Sequence, residues 1–214
     1  MNMKHETIDN AIEGVLFKRF YNLVDRISKH NKTYPTARYI IKGSSVDFTR
    51  MLAVDDYENG YQEYWEYKSH MRSTRSYDVE KRLKNNLKIS EPKKDIYNDE
   101  YHLFNDEIDE KAFSLLEEYK RTHHPDFTDY RMSIFLYYPG HGVYMHKHPN
   151  EDIIGTINLY PEQAAPTIFD NGESPVWKLN RLVSFRPDEV HGAFNDSKDM
   201  LRASVNYFLK ENHD

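Results

Sequence analysis

Apolar residues recur at three-to-four spacing over residues 8–29, where Ile8, Ala11, Ile12, Val15, Leu16, Leu23, Val24 and Ile27 fall on one stripe. That period is the helical one. Thr7 stands where an N-cap would, so a helix over 8–29 is predicted. "ARYIIKG" (37–43) is β-branched and aromatic, closes on Gly, and predicts a strand. Helical spacing returns over 100–120, with Leu103, Phe104, Ile108, Phe113, Leu116 and Tyr119. Residues 44–100 between them are ambiguous. They are dense in tyrosine and charge ("ENGYQEYWEYKSHMRSTRSY", 58–77), and the later half, with "VEKRLKNNLK" (79–88), reads as a polar helix or a long surface excursion.

After "HHPD" (123–126) the pattern changes to short strand-like runs: "DYRMSIFLYYPG", "GVYMHKH", "IIGTINLYP", "PTIFDNG", "VWKLNRLVSFRP" and "LRASVNYFLK". Each is closed by Gly, Pro or Asn or meets the next at short interval. Strands at regular spacing with turn signals indicate a β-sandwich or jelly roll. The fold class expected is α+β, a jelly roll with N-terminal helices packed on one sheet. The chain reads as a single domain over 1–214, with 1–125 a helical and mixed support region and 126–214 the core. No internal repeat or low-complexity linker interrupts it.

Composition narrows the chemistry. The chain has 214 residues and no cysteine, which excludes disulfides, thiolate nucleophiles, Cys-type zinc sites and iron–sulfur clusters. A formal net charge of -6 argues against a general affinity for nucleic acid. The 17 Tyr and 11 Phe supply large side chains to bury. "MNMKHETIDNAIEG" lacks the apolar run of a signal peptide, and no stretch reaches the length of a membrane span. A cytoplasmic protein is expected, with no membrane partner.

The chemically suggestive stretch is "YMHKH", with His146 and His148 two residues apart, so that a strand would turn both to one face. A distant histidine, His191, follows the apolar run "NRLVSFRPDEV". Eleven residues further on, Arg202 and Ser204 share one face of another run. Open catalytic metal sites favour imidazole and carboxylate on one side of the ion. An Arg inside an apolar strand is costly without an anionic partner, and its planar fork suits a carboxylate. Taken singly, each signal has an ordinary explanation. An H-x-H pair is easily met by chance among 11 histidines. His191 alone is a turn or core residue, Arg202 alone an edge-strand residue, and Trp177 a packing residue on a strand. His123 and His124, beside Pro125, are expected to be solvated.

The order Y-x-P-G, H-x-x, strand, F-x-P…H-G and R-x-S resembles the 2-oxoglutarate- and Fe(II)-dependent oxygenases, prolyl hydroxylases among them, over roughly residues 130–210. That resemblance implies a double-stranded β-helix holding Fe(II) through His146 and His191. It implies Arg202 and Ser204 on the far carboxylate of 2-oxoglutarate, with Tyr137 against the same co-substrate. No catalytic side chain is implied beyond these metal and co-substrate ligands. The chemistry implied is that of an oxidoreductase: a dioxygenase that decarboxylates 2-oxoglutarate to succinate and hydroxylates an unactivated C–H bond. The departure is His148, which stands where the family has Asp. Either His148 is the third ligand, or Glu151 or Asp152 from the following loop completes the site, or the site is degenerate. Two other readings stay open: a jelly-roll binding protein without redox chemistry, and a cupin-like three-His metal enzyme that does not use 2-oxoglutarate. A small-molecule or peptide substrate is expected, and the oligomeric state is open.

Overall fold

A computed structural model of the protein describes residues 5–30, 37–43, 49–56, 61–68, 73–75, 99–137 and 142–211. Twelve strands and two helices are found among them. In chain order they are β1 (His5–Asp9), α1 (Gly14–His30), β2 (Ala37–Lys42), β3 (Thr49–Asp56), β4 (Tyr61–Lys68), β5 (Ser73–Arg75), α2 (Asp99–His123), β6 (Asp129–Tyr137), β7 (Gly142–His146), β8 (Ile153–Tyr160), β9 (Thr167–Phe169), β10 (Arg181–Phe185), β11 (His191–Phe194) and β12 (Arg202–Lys210). A nine-stranded antiparallel sheet runs β1-β10-β8-β12-β6-β2-β3-β4-β5, and a three-stranded sheet runs β7-β11-β9. The strands of the C-terminal half alternate between the two sheets. This is the double-stranded β-helix, with α1 and α2 packed on the large sheet.

The predicted helix over 8–29 is corrected at its start. Residues His5–Asp9 pair with β10, Ile8 opposite Leu182. Asn10 then takes φ 56, a left-handed turn that Asn tolerates and a helix does not. The Asn180 side chain accepts from the Ile12 amide and donates to the Ile12 carbonyl, both at 2.8 Å, holding that segment to the turn before β10. Thr7 is therefore a strand residue. Ile8 and Val15, counted on the apolar stripe, are exposed, while Leu16, Phe20, Leu23, Val24 and Ile27 form the buried face. Their spacing of four, three, one and three is that of one helix side. They meet Ile108, Ala112, Leu115, Leu116 and Tyr119 of α2 and the inner residues of β6, β8 and β12.

In the segment 44–100, whose earlier half is ambiguous in sequence, β3, β4 and β5 extend the large sheet beyond β2. "VEKRLKNNLK" lies outside the described residues. Trp177 is buried as expected, but in the loop before β10 rather than on a strand. His123 and His124 are solvated only in part. Both are half-buried, and His124 lies 4.7 Å from the ring of Tyr207 and 5.7 Å from that of Tyr119. No helix among the described residues is long and apolar enough to cross a membrane.

Candidate metal and carboxylate site

Antiparallel pairing brings two of the predicted residues together. His191 opens β11 and sits directly opposite His146, the last residue of β7. Cross-strand partners have Cβ atoms about 4.5–5.5 Å apart on one face, and the two rings are 4.5 Å apart between centroids. His148 arrives differently. It lies past the end of β7, so the strand alternation used to place it does not apply. Its amide donates to the Pro187 carbonyl at 2.9 Å. Its ring stands 4.7 Å from His146, 5.3 Å from His191 and 4.7 Å from Phe208. One nitrogen from each of the three imidazoles falls within 4.8 Å of the others. Tetrahedral nitrogens about 2.0–2.2 Å from one ion lie roughly 3.3–3.6 Å apart, so the rings must draw closer than their widest spacing here to share one.

The surroundings of His191 favour its neutral form. Its Nδ1 is 2.9 Å from the Glu189 carbonyl oxygen. A carbonyl only accepts, so Nδ1 carries the proton and Nε2 keeps its lone pair. Burial pushes its pKa down to about 4, partly opposed by the Glu189 hydrogen bond and assisted by neighbouring His146. A neutral imidazole is the form that binds metal. Beneath the histidines lies an apolar seat, with Phe185 at 4.3 Å from His191 and Phe169, Ile154 and Phe208 around it.

The carboxylates considered as substitutes are engaged elsewhere. Glu151 pairs with Arg131 at 3.3 Å, and Asp152 is exposed, accepting from the Glu211 amide at 2.9 Å. Neither belongs to the histidine group.

A cavity of about 390 Å³ is lined by the three histidines and by Arg202, Ser204 and Tyr137. Arg202 is 1% exposed, the largest fully buried side chain among the described residues. Its Nε donates to the Ala165 carbonyl at 3.1 Å. Its guanidinium carbon lies 5.1 Å from the ring of Tyr137, its cross-strand partner, and 4.8 Å from that of Trp177. Trp177 is itself fixed by an Nε1 bond to the Pro161 carbonyl at 2.9 Å. Nη1 of Arg202 is buried with no hydrogen-bond partner. Burial lowers the pKa of this group, with Tyr137 opposing, yet an arginine keeps its charge. The result is a buried cation with an open donor. Ser204 donates to Asn206 Oδ1 at 3.2 Å and must rotate its hydroxyl to serve another acceptor.

Residues outside the sequence reading also shape the cavity. Arg131, Asn206 and Phe208 line it. Extending the alternation that selected Arg202 and Ser204 by two steps reaches Asn206 and Phe208. Applying it backward from Tyr137 on β6 reaches Arg131.

No family model matches the chain, and no curated protein matches it. Among solved structures it is similar to a prolyl-4-hydroxylase of Pseudomonas putida, at 11% identity and a TM-score of 0.45 over 99% of this chain and 94% of that one. It is also similar to an oxidoreductase of the 2OG-Fe(II) oxygenase family from Burkholderia pseudomallei, at 12% identity and 0.43 over 98% and 86%. A double-stranded β-helix protein from Klebsiella pneumoniae matches at 21% identity and 0.34 over 40% of this chain and 71% of that one.

Proposed function

We propose that the protein is an Fe(II)- and 2-oxoglutarate-dependent dioxygenase, with His146, His148 and His191 as metal ligands and Arg202 as the anchor of the co-substrate. The observation that carries the second half is the buried Arg202 with its unpartnered Nη1. A charge in that position costs several kcal/mol unless an anion meets it, and the cavity it faces is the one the histidines line. The donor set supports the first half: a group of three imidazoles suits Fe(II) or a similar divalent ion.

When bound, the ion and keto acid together supply the oxidative decarboxylation of 2-oxoglutarate to succinate and the hydroxylation of a C–H bond. The chain's own groups do the rest. Arg202, aligned by Ala165, Trp177 and Tyr137, receives the far carboxylate and fixes its direction. The Glu189 carbonyl keeps the His191 proton on Nδ1. Phe169, Phe185 and Phe208 exclude water beneath the ligands. Three imidazoles bring no negative charge, so the dianionic co-substrate balances the ion by itself, and metal and co-substrate binding are mutually reinforcing. The substrate is a small molecule or peptide side chain small enough to enter the cavity.

Calorimetry with 2-oxoglutarate, with and without Co(II), tests this reading, followed by succinate analysis with Fe(II) and oxygen. Metal-dependent binding and succinate release are expected. Metal binding without 2-oxoglutarate binding would favour a cupin-like three-His enzyme, and no metal binding would leave a binding protein without redox chemistry.

A further inference from the structure

His146 and His191 are fixed by the ladder between β7 and β11, but His148 follows the last paired residue of β7. A ligand beyond the ladder needs another support, because a metal constellation tolerates little displacement. Around His148 the contacts close a circuit. The Glu151 amide donates to the His148 carbonyl at 3.3 Å, forming the turn that carries the ring. The Glu151 carboxylate, with its side chain 18% exposed, meets Arg131 Nη2 at 3.3 Å. The Arg131 guanidinium carbon lies 4.3 Å from the centroid of the Phe208 ring. That ring is 4.7 Å from His148. Arg131 and Phe208 are cross-strand partners on β6 and β12, both of which are hydrogen-bonded on two sides within the large sheet.

The geometry points to Arg131, acting through Glu151 and Phe208, as the positioning residue that holds His148 in the histidine group. The inference rests on the metal reading above. Arg131 lines the same cavity as the histidines. It ties the His148 turn to two strands that are each paired on both sides and shares the aromatic ring on which the imidazole rests. It also keeps the nearby carboxylate occupied, so that the third donor is imidazole rather than Glu151. Partners of this kind, one shell out from a metal, change affinity by roughly 10–100-fold.

The test uses Co(II) alone as probe, titrated into wild type, Arg131→Met, His148→Ala and the double variant, with absorption spectra of each complex. Arg131→Met is expected to weaken Co(II) binding by about tenfold or more and to give a spectrum like that of His148→Ala. In the His148→Ala background the same change should cost less than about twofold, because the residue it positions is gone. Glu151→Gln, which keeps shape and removes charge, should weaken Co(II) in the same direction by less, again only when His148 is present. Equal losses with and without His148 would mean general destabilisation and overturn the assignment, as would wild-type affinity in Arg131→Met. Failure of wild type to bind Co(II) would remove both this inference and the metal reading. Co(II) binding without 2-oxoglutarate binding would remove only the co-substrate.

Discussion

The two faces of β12 serve opposite ends. On one face Ala203, Val205, Tyr207 and Leu209 are buried with α1, α2 and the inner residues of β6 and β8 in one apolar cluster. On the other, Arg202, Ser204, Asn206 and Phe208 line the cavity. Alternation along a single strand thus separates stabilising burial from costly burial. The helix face stabilises the fold by removing apolar area from water. The cavity face carries a buried cation whose Nη1 has no hydrogen-bond partner. Stability and binding should therefore respond with opposite sign to changes on the two faces.

Truncation on the helix side gives the largest expected loss. Phe20 of α1 is fully buried, and Phe20→Ala should cost about 3–5 kcal/mol of unfolding free energy by lost transfer and cavity formation. Chemical denaturation checks it. 2-Oxoglutarate binding at temperatures where the variant is folded should be retained.

Arg202→Met should reverse that outcome. Affinity for 2-oxoglutarate should fall by on the order of 2–5 kcal/mol. Stability should be unchanged or higher by about 1–3 kcal/mol, because a buried charge is replaced by an apolar chain of similar length. Calorimetry and denaturation on the same variant read both numbers. A variant that loses stability along with binding would show that the guanidinium is already compensated.

The two faces each hold one strongly depressed histidine, which sharpens the comparison through pH. Burial pushes the pKa of His124, on the helix side, down to about 4, with His123 and Lys120 adding to it. His191 on the cavity side is pushed to about 4 as well. In the unfolded chain each titrates near 6.5. The unfolded state therefore binds more protons between these values. The associated stability is fully present above about pH 6.5 and is lost as pH falls toward 4. His124→Phe, set among Tyr119, Phe127 and Tyr207, should remove its share of that slope, on the order of 1–2 kcal/mol given partial access of water. The His191 share should remain. Denaturation midpoints at pH 7.5 and 5 check it.

The smallest effect is expected at the surface of the helix layer. Arg26 and Glu107 join α1 to α2 through two bonds of 2.8 Å, and Arg26 with Lys111 draws the Glu107 pKa down to about 2. Solvent surrounds the pair. Glu107→Gln should leave the denaturation midpoint nearly unchanged, and any difference should vanish at 1 M salt.

Local pattern was enough where burial and backbone period agree. The apolar stripe from Leu16 to Ile27, the second helix, and the run of short strands after residue 126 are all legible because helical and strand periods differ. So were His146, His191, Arg202 and Ser204 as residues of interest, since histidines near strand ends and an arginine in an apolar run are chemically conspicuous. Other features were decided by tertiary contact. Ile8 fits the helical stripe, yet pairing with β10 and the clasp of Asn180 on Ile12 draw the segment into a sheet edge. His148 reaches the histidine group from a turn rather than by strand alternation. Its place depends on Pro187, Glu151 and Phe208, residues 3 to 60 positions away. The buried state of Arg202 depends on Ala165 and Trp177 in separate loops. Side-chain period is a property of neighbouring residues and can be read along the chain. The meeting of His146 with His191, or of Arg202 with Trp177, is set by sheet register and loop course, which no local pattern encodes.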